Sequence, residues 1–472
     1  MRKDKPVMLS KVFKAYDVRG VYPEPLSEKV AWKIGYATGK YLRSQLSGSD
    51  MVDPMLQHVV VGRDMRLSSP KLADALARGL RAAEMNVLDV GMVDTSFIYF
   101  AINHLGCAGG VQVTASHNPA EYNGFKISGR YAKPIGSDTG LVDIQRIAAT
   151  IEDRDAGAEP VGRIEHRDLW HGYRDHVLAN LELKRPLKVA VDASNGMAGI
   201  FVPKLFEGVK NLEIIPVNFE VTGKFVHDPN PLVPENMVPT QELVRKHGAD
   251  LGVCFDGDAD RCMVTDENGS VIGCDLLGAL FAQHFLKESP GSAVVYDLRS
   301  SKALKETIEQ AGGKPVRGRV GHVFLKALMR EHDAVFGAEL SGHLYYRDNF
   351  YTDSGAITFA VALTLAAASS KPMSAMIKPL APYSQSGEIN FEVEDKAAAM
   401  AEVQKAFADR AEIDELDGVT VDAWENEGWW FNVRASNTEP LLRFNMEART
   451  AELLKKMQQE VTPMLGEPAK GH

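Results

Sequence analysis

The stretch Lys188-Val189-Ala190-Val191-Asp192, running at once into Ala193-Ser194-Asn195-Gly196-Met197-Ala198-Gly199, is a short apolar run that ends on a carboxylate and opens into small, flexible residues. A run of that length bounded by turn formers predicts a buried strand followed by a turn into a helix. The same build recurs on both sides of it. His58–Val61 ends in Gly62-Arg63-Asp64 before an alanine-rich helical pattern from Pro70 to Glu84, and Ala293–Asp297 opens onto Leu-Arg-Ser-Ser and a further helix. Strands that alternate with helices predict an α/β sheet, and the recurrence predicts three α/β units of similar build.

Beyond about position 383 the pattern changes. A helix over Lys396–Arg410 is followed by alternating strands at Val419–Trp424, Trp429–Val433 and Leu441–Met446 and a terminal helix from Thr450, which predicts a small α+β domain. Trp424, Trp429 and Trp430 are expected in its sheet core, with one face of the sheet exposed. The expected division is residues 1–162, 163–270, 271–382 and 383–472. Its first boundary follows the charged, Gly- and Pro-bearing stretch Glu152–Gly162.

At 472 residues the chain exceeds what one hydrophobic core supports. Apolar and charged fractions of 45% and 25% are those of a globular protein. A net charge of −10 argues against nucleic acid and anionic membrane as partners, so an anionic ligand would need local arginines and lysines. The charged start Met-Arg-Lys-Asp-Lys-Pro has no apolar stretch behind it and does not read as a secretory signal; the longest apolar run, Ala356–Ala368, is too short for a bilayer and predicts a buried helix. Cys107, Cys254, Cys262 and Cys274 form no Cys-x-x-Cys pair and are expected to be reduced, which points to the cytoplasm.

Five polar stretches stand out against this scaffold. In the first, Val111 and Val113 lead into Thr114-Ala-Ser116-His117-Asn118-Pro119, where a strand is expected to stop near Thr114, and an Asn123-Gly124 turn is expected to hand the chain to Lys126. Ser, Asn and Pro are ordinary turn residues, and nothing local marks a serine hydrolase: there is no Gly-x-Ser-x-Gly, and His117 beside Ser116 is badly placed as its base. An Arg19-Gly20 pair is expected in an earlier loop.

The second, Leu251-Gly-Val-Cys-Phe-Asp256-Gly-Asp258-Ala-Asp260-Arg261, runs an apolar strand into three carboxylates at alternate positions, which can converge on a hard divalent cation. An EF-hand is a poor match, because Arg261 occupies the position that needs glycine and a strand precedes the loop. A haloacid-dehalogenase-like phosphatase would instead use Asp256 as nucleophile and Asp258 as acid/base. The third stretch places Arg317, Arg319 and His322 together, and the fourth delivers Glu339, Ser341 and His343 into a loop where a carboxylate and a hydroxyl suit sugar hydroxyls. In the fifth, Arg434, Ser436, Asn437 and Thr438 make a phosphate cradle or an ordinary Ser/Asn turn. Gly-x-Gly-x-x-Gly and the P-loop signature are both absent.

Taken in order, Thr-Ala-Ser-His-Asn-Pro, Asp-Gly-Asp-Ala-Asp-Arg, Gly-x-Glu-x-Ser-Gly-His and Arg-x-Ser-Asn-Thr resemble the motifs of the α-D-phosphohexomutase superfamily, and the third resembles its phosphomannomutase/phosphoglucomutase branch. The resemblance runs from Tyr16-Asp-Val-Arg19-Gly to Arg434. It implies three similar mixed-sheet α/β domains plus a smaller C-terminal α+β domain around a central cleft. It also implies that Ser116 is carried as phosphoserine and binds Mg²⁺ together with Asp256, Asp258 and Asp260.

The reaction implied is reversible phosphoryl transfer between hexose 1-phosphate and hexose 6-phosphate through a bound hexose 1,6-bisphosphate. By the same resemblance, Arg19, Lys126 and Arg261 neutralise the moving charge. His117, His322 and Lys126 are candidates for moving the proton. Tyr16, Arg319, Glu339, Ser341 and His343 hold the sugar, and Arg434, Ser436, Asn437 and Thr438 clamp the other phosphate. The expected partners are small hexose phosphates, met by a monomer or homodimer.

Two departures stand out. Gly91-Met-Val-Asp94-Thr95-Ser96 replaces the Pro-Thr-Pro of many relatives, and Arg319 stands where some carry lysine. A phosphoglucosamine mutase is the nearest rival, and an aspartyl-phosphate phosphatase on Asp256 or a catalytically silent phosphosugar sensor are the other classes.

Overall fold

The computed structural model describes residues 9–152, 159–436 and 441–469. They fall into two compact units, Met1–Val271 with Gly342–Met373, and Ile272–Ser341 with Ser374–His472. Residues 342–373, expected within a third domain, therefore pack with the first unit.

The first unit opens with a six-stranded sheet of β1 (Val18–Val21), β2 (His58–Arg63), β3 (Asn86–Met92), β4 (Gly109–Val113), β5 (Tyr122–Gly129) and β6 (Ile164–His166), in the order β1-β5-β4-β2-β3-β6. β2 runs parallel to β3 and β4, and β5 runs antiparallel to β4 and β1, so the sheet is mixed. Helix Glu28–Ser44, capped by the Ser27 hydroxyl, and helix Ser69–Ala82 present their apolar stripes to it.

Two local expectations are corrected here. Arg19 and Gly20 lie on β1 and not in a loop, and Asn123 and Gly124 lie on β5 and not in a turn, because Arg19 pairs with Gly124 and Gly20 with Asn123 across an antiparallel ladder. Ladder bonds outweigh the turn preference of an Asn-Gly pair. Glycine is needed at 124 for closeness: a Cβ there would lie 2.0 Å from the Val18 carbonyl oxygen. β6 pairs with β3 beyond the expected boundary at 162, so the first sheet continues to His166.

The second sheet has the order β10-β9-β7-β8, from β7 (Leu187–Asp192), β8 (Leu212–Val217), β9 (Leu251–Phe255) and β10 (Cys262–Thr265). β7 is parallel to β8 and β9, and β10 returns antiparallel to β9. Helix Gly355–Ala368 is buried along nearly its whole length, with Phe359 meeting Phe206 and Phe255 at ring-centroid distances of 4.9 and 5.9 Å. Among the described residues no single helix is long and apolar enough to cross a membrane.

The second unit holds β11 (Ala293–Asp297), parallel to both β12 (Lys314–Gly318) and β13 (Phe336–Ala338). It also holds an antiparallel sheet in which Trp429–Ala435 and Leu441–Ala448 form the central hairpin and Ser384–Glu392 pairs alongside. Helices Lys396–Phe407 and Ala451–Val461 cover one face, with Phe407, Trp429, Phe431 and Phe444 in its core. The face expected to be exposed is covered as well. Trp430 is buried and donates to Glu447 Oε2 at 2.9 Å, and Glu447 in turn accepts from Ser301 Oγ and Lys302 N.

The Gly91–Ser96 turn carries a titratable group into the core of the first unit. Asp94 caps helix Thr95–Leu105, accepting from Phe97 N at 3.2 Å and from the Tyr173 hydroxyl at 2.7 Å, and it is fully buried. Burial pushes its carboxyl up to about 7, against the lowering effect of the Tyr173 hydroxyl and two backbone amides. A carboxyl whose folded pKa is raised contributes stability that is complete below its unfolded value and lost as pH climbs through about 7. Asp94→Asn keeps an acceptor and removes the ionisation. Thermal melts are therefore expected to agree at pH 5 more closely than at pH 8, where the variant melts higher; equal melting differences at both pH values would rule out this titration.

Candidate active site

Ser116 sits in the loop between β4 and β5 with φ of +53°, in the left-handed region that serine enters only when its surroundings hold it there. Thr114 Oγ1 accepts from Ser116 N at 2.9 Å, and the Ser116 hydroxyl donates to Asp256 Oδ2 at 3.1 Å and lies 3.3 Å from His117 Nδ1. Facing it is the loop that β9 delivers. Asp256, Asp258 and Asp260 are all buried, and one oxygen from each lies within 4.8 Å of the others.

Around these three carboxylates the first unit gathers cations. Lys126, on β5, donates to Asp258 Oδ2 at 2.7 Å and Asp260 Oδ2 at 2.5 Å. Arg261 Nε donates to Asp256 Oδ2 at 2.9 Å, its backbone N–H reaches Asp256 Oδ1 at 3.2 Å, and His343 Nε2 lies 3.4 Å from Asp260 Oδ1. Arg19, on β1, pairs with Asp17 at 2.5 Å and donates to the Asn118 side chain of the serine loop.

The charges act on one another. Burial raises Asp256, opposed by Arg261 and reinforced by Asp260 and Asp258, while Asp260 is held well below the usual carboxylate range because Lys126 and His343 outweigh its burial. Burial works against the Lys126 ammonium, and the three aspartates overcome it and raise its pKa. His117 is driven well below its ordinary value by burial and by the neighbouring Arg261, Arg19 and Lys126, so its imidazole is neutral.

The residues fit a metal ion. Asp258 Oδ1 is buried and accepts no hydrogen bond from any described residue, although the other oxygen of the same carboxylate takes both Lys126 and the Thr95 hydroxyl, the latter at 2.5 Å. Buried polar atoms are ordinarily satisfied. Three converging carboxylates with an open oxygen form a hard-donor set for a divalent cation.

The second unit gathers its own cluster. Arg434 is buried and faces Arg443 across the central hairpin. Arg299, Arg434 and Arg443 converge on one carboxylate, Glu388, at 3.1, 3.5 and 3.1 Å. Burial works against the Glu388 charge, yet the three guanidiniums outweigh it and hold the carboxyl below the usual range. Glu339 is buried 3.8 Å from Arg299, and Leu340 N donates to Asp297 Oδ2 at 2.6 Å.

Ser436 is buried beside this cluster's strand end, whereas Asn437 and Thr438 lie outside the described residues. His322 begins helix His322–Glu331, half-buried. Arg319 is exposed with its guanidinium over the Phe324 ring at 4.4 Å, and Tyr16 and Ser341 are half-buried in loops.

Sequence reasoning missed Thr95, Arg66, Arg299, Arg443 and Glu388. For the first arginines a signal existed: Asp64-Met-Arg66-Leu-Ser-Ser and Asp297-Leu-Arg299-Ser-Ser repeat an Asp-x-Arg at two strand ends. Glu388 carried none, since a lone glutamate in a polar strand is commonplace.

Comparison with known proteins finds matches over most of the chain. Residues 10–155, 171–269, 274–383 and 388–464 match the three alpha/beta/alpha domains and the C-terminal domain of phosphoglucomutase/phosphomannomutase. A phosphomannomutase of Salmonella montevideo is 40% identical, covering 94% of this chain and 98% of the relative. A protein described as phosphohexose mutases from Xanthomonas campestris pv. campestris is 41% identical over 96% of this chain and 98% of its own. The solved structure of a phosphoglucomutase/phosphomannomutase family protein from Burkholderia thailandensis is 33% identical and superposes with a TM-score of 0.85 over 96% of each chain. With four matched domains in order, a buried triad able to hold a metal, and a serine aimed at it, the chain belongs to the phosphoglucomutase/phosphomannomutase family, isomerases that move a phosphoryl group between two positions of one hexose phosphate.

Proposed function

We propose that the chain interconverts the 1- and 6-phosphates of mannose, glucose or both, with Ser116 carried as phosphoserine. The observation that carries this reading is the Ser116 hydroxyl 3.1 Å from Asp256 Oδ2, at the mouth of the aspartate triad. The serine phosphoryl group passes to the free hydroxyl of a bound hexose monophosphate. The P–O bond to Ser116 breaks as the bond to the sugar oxygen forms, the sugar hydroxyl gives its proton to a neighbouring base, and the freed Ser116 oxygen takes up a proton to become a hydroxyl. The bound hexose 1,6-bisphosphate then turns over and returns its other phosphoryl group to Ser116.

His117, its Nδ1 3.3 Å from the Ser116 oxygen, is placed to move the proton on that oxygen as the phosphoryl group leaves and returns. Mg²⁺, when held by Asp256, Asp258, Asp260 and a serine phosphate oxygen, supplies positive charge to the moving group. Lys126, Arg19 and Arg261 supply fixed charge around it, and His343 backs Asp260. Glu339 and Ser341 read sugar hydroxyls, with His322, Arg319 and Tyr16 as further contacts. Arg434, Ser436, Asn437 and Thr438 hold the unreacting phosphate. The setting proposed is the cytoplasm, which four buried cysteines that form no disulfide suit.

The test pairs intact-mass and peptide mapping with an activity panel of mannose, glucose and glucosamine 1-phosphates. A phosphate adduct on Ser116 and formation of mannose or glucose 6-phosphate are expected. Release of free phosphate without 6-phosphate would favour the aspartyl-phosphate phosphatase, and preference for the glucosamine phosphates would favour the glucosamine mutase.

A further inference from the structure

Arg66 is fully buried two residues after the strand-ending Asp64, and its guanidinium bonds in five directions. Nη1 donates to Pro119 O at 2.6 Å and Tyr122 O at 3.0 Å, Nη2 donates to Ser116 O at 2.8 Å and Asn118 O at 2.7 Å, and Nε donates to Asp64 Oδ2 at 3.1 Å. Four main-chain carbonyls of one loop thus meet a single planar cation. An arginine offers five N–H donors in a rigid fork, so a loop that takes four of them, with the fifth fixed on Asp64, has little room to shift.

The hold extends to both ends of the loop. Asp64 Oδ1 accepts from Arg66 N at 3.0 Å and Ser69 Oγ at 2.5 Å, and Asn123 Nδ2 donates to Ser69 Oγ at 2.9 Å, so the start of β5 is referenced to the same strand end. Ser116 needs such a hold, because its φ of +53° is a conformation that serine does not keep by itself. The device recurs in the second unit. Asp297 accepts from Arg299 N and Nε at 2.8 and 3.1 Å, and takes the Leu340 amide of the loop that carries Glu339.

We infer that Arg66 is a positioning residue for the reacting serine: it sets where the Ser116 oxygen stands against the aspartate triad without itself touching substrate. This rests on the assignment of Ser116 as phosphoryl carrier. Arg66→Lys leaves a cation beside Asp64 but replaces the fork with a point charge that cannot meet four carbonyls in one plane.

For Arg66→Lys, kcat for hexose 1-phosphate conversion is expected to fall at least about tenfold with KM changed less than about twofold, the signature of a lost transition-state arrangement. Hydrogen exchange is expected to quicken in the peptide spanning residues 116–124 and nowhere else in the unit. Full kcat, or exchange that quickens evenly across the unit, overturns the inference. Should Arg66→Lys fail to fold, Asp64→Asn takes its place: it keeps the guanidinium and loosens its anchor, and an unchanged kcat there is equally fatal. Peptide mapping of the unmutated protein separates the two levels. Phosphoserine at 116 together with a fully active Arg66→Lys defeats only the positioning role, whereas an unphosphorylated Ser116 with an active Ser116→Ala defeats the carrier assignment itself.

Discussion

Ser116→Ala is expected to lower conversion of hexose 1-phosphate to hexose 6-phosphate by about 10³-fold or more, since no other group can stand in for the oxygen that carries the phosphoryl group. In barrier terms that is at least about 4 kcal/mol, at about 1.4 kcal/mol for each tenfold. Stability should hardly change. The variant loses the hydrogen bond to Asp256 and the longer one with His117, each worth about 1 kcal/mol or less, so the melting temperature falls by only a few degrees, roughly 2–6 °C. A coupled assay and a thermal melt on the same preparation make the check. Turnover within tenfold of the unmutated protein would remove Ser116 from the reaction, and a collapse of the melt would leave the lost activity attributable to unfolding.

The second large effect is on stability. Lys126 holds Asp258 and Asp260, two carboxylates with side-chain exposures of 0% and 2%, so its ammonium compensates buried negative charge. Lys126→Met preserves bulk and removes that charge. Breaking one side of a buried ion pair costs about 3–5 kcal/mol, so in EDTA the variant is expected to melt on the order of 10 °C lower. Mg²⁺ is expected to restore part of the loss, and to raise the melting temperature of Lys126→Met more than that of the unmutated chain, because an ion bound to the folded form stabilises by mass action. A melt in EDTA that matches the unmutated protein would mean that the triad is not held by Lys126. An equal response to Mg²⁺ in both proteins would separate the ion from these carboxylates.

These two expectations draw on different kinds of information. The serine loop and the acidic loop are written locally: a strand run ending at Val113 or Phe255, then residues whose side chains can do little except bind or react. Their juxtaposition is not local. Ser116 and Asp256 are far apart in sequence and meet at 3.1 Å only because β4 and β9 each open onto that site from their own sheets. Lys126 belongs to the triad through its place on β5 and not through any motif.

The local misreadings have the same origin. Asn123-Gly124 has the composition of a turn, and in isolation it would favour one. The ladder to β1 makes it strand, and the glycine is required there because a Cβ would lie 2.0 Å from the Val18 carbonyl oxygen. One face of the C-terminal sheet was expected to be open, but Trp430 is buried there with Glu447, which the segment at Ser301 also contacts. Glu388 gives no hint in sequence of being the point on which three arginines converge.

By itself, then, the sequence determined the α/β plan, the strand ends that carry chemistry and the family those ends belong to, because strand periodicity and loop composition act over a few residues. Tertiary structure alone decided which charges share a site, which serine conformation is held, and that a buried arginine at position 66 grips the loop of Ser116. Pairing between distant segments sets burial and electrostatic neighbours, and neither can be read from short-range pattern.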